Sequence, residues 1–135
     1  MTTQDIMIDD WVFFPEINRN VVVTTIYDNG IITVNDQVTS YLANRPITPH
    51  LVNRYMRKCD MFESIPITAE ILEKNRWIYE DSLWLHEDAI TLQEGFDGTN
   101  LFFWFVGGSP FLPINYVHEL QHVLKLCRID KTIEL

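Results

Sequence analysis

Apolar and polar positions change rhythm along this chain. The first third alternates at short range, as strands do. Trp11-Val12-Phe13-Phe14 is a short apolar run closed by Pro15. Val21 to Tyr27 is β-branched and aromatic, and Ile31-Ile32-Thr33-Val34 is another such run. Asp28-Asn29-Gly30 separates these two, and Asn-Gly tolerates positive φ at both turn positions, so the pair reads as a hairpin. A further short strand is expected within Gln37 to Leu42. Small curled antiparallel sheets of the SH3-like type are built from such a succession.

The rhythm is lost from Ala43 to Ser64, where Pro46 and Pro49 precede a basic patch of Arg54, Arg57 and Lys58 around Tyr55 and Met56. A loop with a helical turn near Leu51 to Arg57 is expected, and with it a boundary between two halves, 1–60 and 61–135. These halves are separate units or parts of one compact domain. A short helix is expected over Ala69 to Asn75. Thr68 is its N-cap, Ile67 and Leu72 form a hydrophobic staple, and Glu70 and Lys74 suit the helix dipole.

Strand-like segments follow at Trp77-Ile78-Tyr79, Leu83-Trp84-Leu85, Ala89 to Leu92 and Leu101 to Val106. The last is apolar on both alternating faces, so it is either covered within the monomer or completed by a second subunit. Gly107-Gly108-Ser109-Pro110 ends it. A final helix is expected from Asn115 to Cys127, with Pro113 near its start. Val117, Leu120, Leu124 and Cys127 form its apolar stripe. The tail from Asp130 to Leu135 could add an edge strand. The fold class is therefore α+β: a β-rich, SH3-like N-terminal half, then helix, antiparallel sheet and C-terminal helix.

Composition narrows the function. The 135 residues carry 10 basic and 19 acidic side chains, a formal net charge of −9. That argues against a general nucleic-acid binder, whose affinity rests on Lys and Arg neutralising phosphates. No apolar run approaches the ~18–20 residues needed to span a bilayer. The opening residues lack the basic and apolar regions of a secretory signal. Cys59 and Cys127 are isolated and read as free thiols in a reducing cytosol.

One motif carries catalytic chemistry. His118-Glu119-Leu120-Gln121-His122 matches the zincin pattern. Two imidazoles at i and i+4 on a helix can share one zinc ion, and the adjacent Glu119 can act as base on a metal-bound water. A catalytic zinc normally takes three protein ligands. Lys125 and Arg128 stand where the extended metzincin form has Gly and His, and an upstream ligand such as His50 or His86 would be unusual. On a helical wheel His118 and His122 lie nearly opposite the apolar stripe, which points them to solvent. Among other candidates, Asp9-Asp10, Glu80-Asp81 and Glu87-Asp88 fit turns or solvated faces. No nucleophile-elbow context surrounds Ser40, Ser64, Ser82 or Ser109.

Three segments resemble a family of small proteins from gut bacterial genomes and their prophages or conjugative elements. They are Asp5-Ile6-Met7-Ile8-Asp9-Asp10-Trp11-Val12, Ser64-Ile65-Pro66-Ile67-Thr68-Ala69-Glu70-Ile71-Leu72, and Ile114-Asn115-Tyr116-Val117-His118-Glu119-Leu120-Gln121-His122. Asp9-Asp10 stands where that family has Gly-Asn. The family's last segment often reads Tyr-Val-His-Gln-Leu-Gln-Asn, without the base or the second ligand. The resemblance implies a cytoplasmic, mobile-element setting and no known activity, substrate or cofactor. The expectation is a non-enzymatic accessory or protein-interaction protein with no cofactor and a protein partner of unknown identity. The alternatives are a minimal zinc hydrolase using His118, His122 and Glu119, and an acidic binder of basic proteins or nucleic-acid mimic.

Overall fold

The computed structural model describes residues 1–36, 41–42, 45–46, 53–81, 83–86, 91–94, 101–104, 110–129 and 132–135. It is an α+β protein of antiparallel sheets and two α-helices among the described residues. The chain divides into two units, Met1–Ile65 and Pro66–Leu135.

The first unit is a four-stranded antiparallel sheet. Its strands are β1 (Trp11–Phe14), β2 (Arg19–Ile26), β3 (Ile31–Asp36) and β6 (Asn53–Lys58), in that spatial order. A two-stranded ladder of β4 (Tyr41–Leu42) and β5 (Arg45–Pro46) lies between β3 and β6 in sequence. The remainder of the strand expected from Gln37 lies outside the described residues. The β2–β3 hairpin differs in detail from expectation: only Gly30 takes a positive φ, 84°. The Gly30 N–H donates to Tyr27 O at 3.2 Å and the Tyr27 N–H to Ile31 O at 2.9 Å. Glycine thus occupies the one left-handed position of a three-residue loop, as in a turn followed by a G1 bulge.

Over residues 53–57 the helical turn expected near Leu51 to Arg57 is instead strand β6, paired along its length with β3 from Ile31↔Lys58 to Asp36↔Asn53, and residues 51–52 lie outside the described residues. Its inward side chain Tyr55 lies 5.4 Å, centroid to centroid, from Phe14. That core contact and the ladder outweigh the polar neighbours. After β6, a single 3₁₀ turn (Cys59–Met61) brings the chain back to β1. There Phe13 and Glu63 exchange two backbone hydrogen bonds of 2.8 Å. Phe62 to Ile65 therefore belong with the first unit. The core holds Ile6, Val12, Phe14, Val21, Val23, Ile32, Val34, Cys59 and Phe62. Phe14 is at its centre, 4.6 Å from Phe62.

The second unit is a five-stranded meander flanked in sequence by helices. The strands are β7 (Ile78–Glu80), β8 (Leu83–Leu85), β9 (Thr91–Glu94), β10 (Leu101–Trp104) and β11 (Pro110–Ile114). Residues 89–90 and 105–106 of the expected strands lie outside the described residues. β10 is hydrogen-bonded on both edges, to β9 and β11. Strand β11 differs from expectation, which reads Pro110 as the end of the preceding strand and Pro113 as the approach to the final helix. Both prolines are tolerated since β11 is an edge strand, where a missing N–H need cost no ladder bond.

Helix α1 (Ala69–Lys74) starts as expected: Thr68 Oγ1 accepts from the Ile71 N–H at 3.3 Å. It ends at Arg76, whose φ of 71° lies in the left-handed region, with the Trp77 N–H donating to Leu72 O at 2.9 Å. Helix α2 (Val117–Leu126) ends the same way, with Arg128 at φ 56° and the Ile129 N–H donating to Leu124 O. The Ile67 N–H donates to Asn115 O, which sets the two helix starts side by side. The tail is not paired as an edge strand over 132–135. Ile133 is buried, and the Asn75 side chain clasps Glu134. Asn75 Nδ2 donates to Ile71 O and Glu134 O, each at 2.7 Å, and Asn75 Oδ1 accepts from the Glu134 N–H at 2.7 Å.

Candidate functional site

Two places deserve comparison as sites: the motif on α2 and the outer face of the first unit's sheet. On α2 the expected stripe of Val117, Leu120 and Leu124 is buried, and so are Val123 and His118. At about 100° per residue these positions span roughly 220° of the helix. The burial arc is therefore wider than the stripe and takes in His118, which is 5% exposed and does not face solvent. His122 is half-buried. The His118 ring stacks near-parallel on Tyr116 at 5.9 Å and meets His122 edge-on at 5.6 Å.

Glu119 has a structural task. Its Oε1 accepts from the backbone N–H groups of Asn115 and Tyr116, both at 3.0 Å. Those donors belong to the helix start, where N–H groups have no partner within the helix. A Glu at the third helical position reaching back to the cap is half of a capping box. Among the described residues, no three His, Cys, Asp or Glu side chains are grouped to hold a metal ion. His86, one upstream candidate, is 7% exposed and packs its ring 4.5 Å from Trp77. His50, the other, lies outside the described residues.

Elsewhere, Asp9-Asp10 is not a solvated pair. Asp9 is exposed, but Asp10 is fully buried and its Oδ2 accepts from the Met7 N–H at 2.7 Å. Cys59 and Cys127 are free thiols. Burial pushes the Cys59 thiol up from its ordinary value.

On the outer face of the first unit, strand alternation and register decide what is shown. Val23, Val34 and Tyr55 form one inward row. The next row outward is Thr25, Thr33 and Met56, and beside it stand Val22, Asn35 and Arg54. The β2–β3 register shifts between Val23 and Thr25, and the Thr24 hydroxyl there donates to Thr33 O at 3.1 Å. Part of this face lines a groove of about 490 Å³, walled by Thr24, Thr25, Tyr27, Thr33, Arg54, Tyr55 and Met56. Met56 is 55% exposed and Tyr27 43%.

The expected basic patch is thereby split. Arg57 points with Tyr55, lies 5.9 Å from that ring's centre, and binds Glu16 through two hydrogen bonds of 3.0 and 3.2 Å. That contact holds the Glu16 carboxyl below the usual carboxylate range and raises Arg57. Arg54 is the one charged residue lining the groove among the described residues. Sequence reasoning named Arg54 and Met56 and missed the threonines. The signal was the alternation of Thr33 and Asn35 with Ile32 and Val34, which sorts β3 into a polar face and a core face.

No helix among the described residues is long and apolar enough to cross a membrane. Comparison with known protein families, curated proteins and solved structures finds no match to this chain.

Proposed function

We propose that this chain is a non-enzymatic accessory protein that binds another protein through the outer face of its first unit. We further propose that this unit is a small barrel of the SH3-like type. The observation that carries the binding reading is the groove of about 490 Å³ with its exposed Met56 and Tyr27 beside the charged Arg54. Apolar anchors beside one cation suit an extended segment of a partner that carries an acidic side chain next to an apolar one. Support for the barrel reading is the up-and-down order of β1, β2, β3 and β6, followed by the 3₁₀ turn and the return of Glu63 to β1.

The family resemblance adds one supporting point. Asp9 takes a φ of 77°, a region that favours glycine, at the position where that family has Gly. A mobile-element origin and a cytoplasmic setting remain part of this proposal. The zinc-hydrolase alternative is less favoured, because Glu119 Oε1 is already engaged by two backbone N–H groups as part of the helix cap.

The test is affinity capture from the native host with the wild-type chain, Met56→Lys and Arg54→Glu. A partner retained by the wild type and lost by both variants is the expected result. Identical partner sets for all three would sink the reading. Thermal unfolding with added zinc tests the alternative separately. A resident zinc site would raise Tm with metal concentration, and no such rise is expected.

A further inference from the structure

Asn29 alone among the asparagines of this chain precedes a glycine. It stands exposed in the loop between β2 and β3. Its side chain is folded along the backbone: Asn29 Oδ1 accepts from the Ile31 N–H at 3.2 Å. To reach a donor two residues on, the side-chain carbonyl has to lie alongside the Gly30 peptide. Gly30 has no Cβ to shield its nitrogen. Its chain neighbours aside, nothing among the described residues comes within 4 Å of where that Cβ would stand. Asn29 and Gly30 also line a cleft of about 340 Å³, with Lys58 and Asp60 on its other walls. Water therefore reaches both residues.

We infer that Asn29 is a covalent modification site, at which the folded chain deamidates spontaneously by attack of its own backbone. The Gly30 nitrogen, its proton taken by hydroxide, forms a bond to Asn29 Cγ. Neighbouring groups of one chain react readily because no second molecule has to be brought in. The negative charge that gathers on Oδ1 during the attack meets the Ile31 N–H already placed there. The Cγ–Nδ2 bond then breaks, and its nitrogen takes a proton from water and leaves as ammonia. A second water opens the cyclic imide at either carbonyl, giving aspartate or isoaspartate. Nothing is oxidised or reduced.

One contact opposes the reaction. The Gly30 N–H donates to Tyr27 O at 3.2 Å, and this bond has to open before the nitrogen can attack. A hydrogen bond of ordinary net worth holds the loop shut by roughly two- to tenfold. The folded chain therefore converts more slowly than the unfolded one, but only by that factor. The product places a new negative charge at position 29, on the wall of the cleft it shares with Lys58. The isoaspartate form also lengthens the backbone between Tyr27 and Ile31, whose N–H···O bond of 2.9 Å closes the hairpin. None of this depends on the partner proposed for the groove.

The test is incubation of the full chain at mildly alkaline pH, with peptide mass spectrometry at intervals and circular dichroism to show that the chain is folded. Conversion reads as exchange of a side-chain NH₂ for OH, and chromatography separates the aspartate and isoaspartate peptides. Asn29 is expected to convert faster than any other asparagine by roughly tenfold or more, because it alone is followed by a residue without a Cβ. In urea at the same pH its rate is expected to rise by no more than about tenfold. Asn29→Gln keeps an amide at this exposed position but needs a larger ring to close, and is expected to lose the signal there. An Asn29 that stays intact in the folded chain overturns the inference. So does a second asparagine that converts as fast, or a rise in urea beyond about tenfold, which would place the reaction in the unfolded chain.

Discussion

Asp36 in the first unit and Asn75 in the second are equally inaccessible, at 5% exposure each, yet they answer to different partners. Asp36 sits at the end of β3 and meets the Arg19 side chain of β2 at 2.9 Å. Asn75 follows α1 and bonds only to backbone, at Ile71 and Glu134. Glu119, also in the second unit, does the same at Asn115 and Tyr116. A sheet satisfies its own backbone through its ladders, so the first unit can spend a polar side chain on another side chain. Helix ends and a tail outside the sheet leave backbone groups over, and the second unit recruits side chains to meet them. Within the first unit's sheet the polar groups that matter for stability should therefore be side-chain pairs, with side-chain-to-backbone clasps kept to its loops, as at Asp10, and to the second unit.

Substitutions at four positions probe that contrast. The largest effect is expected from Phe14→Ala, at about 3–5 kcal/mol in denaturant unfolding. It tests the premise that the first unit rests on its apolar core. Next is Asn75→Ala, which strands backbone groups of a buried tail and is expected to cost about 2–3 kcal/mol. Amide exchange at Glu134 should quicken while amides of β2 and β3 keep their protection. Equal quickening in both units would break the comparison. Arg19→Ala leaves the Asp36 carboxylate without its ion pair and is expected to cost about 1–2 kcal/mol, less than Asn75→Ala because Arg19 is half exposed and water can replace it. Reversal of that order in chemical unfolding would show the side-chain pair to matter more than the clasp. The smallest effect is at the α2 cap. Glu119→Ala is expected to cost about 1 kcal/mol, and Glu119→Gln, which keeps an acceptor oxygen, at most a few tenths. A Gln variant as damaged as Ala would contradict the capping role.

Much of this architecture was legible where local chemistry and burial agree. Thr68, Ile67 and Leu72 announce α1, and burial alternates residue by residue along the apolar runs of β1 and β3, while β2 buries three valines in succession. Strand β6 was illegible because Tyr55 is its main core-facing apolar residue, and Arg54, Arg57 and Lys58 stand at the three- and four-residue spacing of a helix face. Strand β11 was hidden by its prolines, whose tolerance depends on an edge position that only the finished sheet defines. The motif on α2 was legible as residues and misleading as geometry. A helical wheel ranks faces by apolarity, and His118 enters the interior beside Val117 as a packed aromatic ring. The groove could not be seen at all, because Thr25, Thr33 and Met56 come together only through the register of three strands.

The Asn75 clasp has a consequence for how the chain is made. Its partner Glu134 lies 59 residues further on. At about 5–20 residues per second, a ribosome needs roughly 3–12 s to add them. The first unit has by then closed on itself at Glu63, well before Asn75 meets its tail. Synthesis thus imposes an order of events: an early, self-sufficient sheet, then a helix that waits with an unfinished amide. Inside a cell, that waiting interval is when the second unit would be most open to chaperones and proteases.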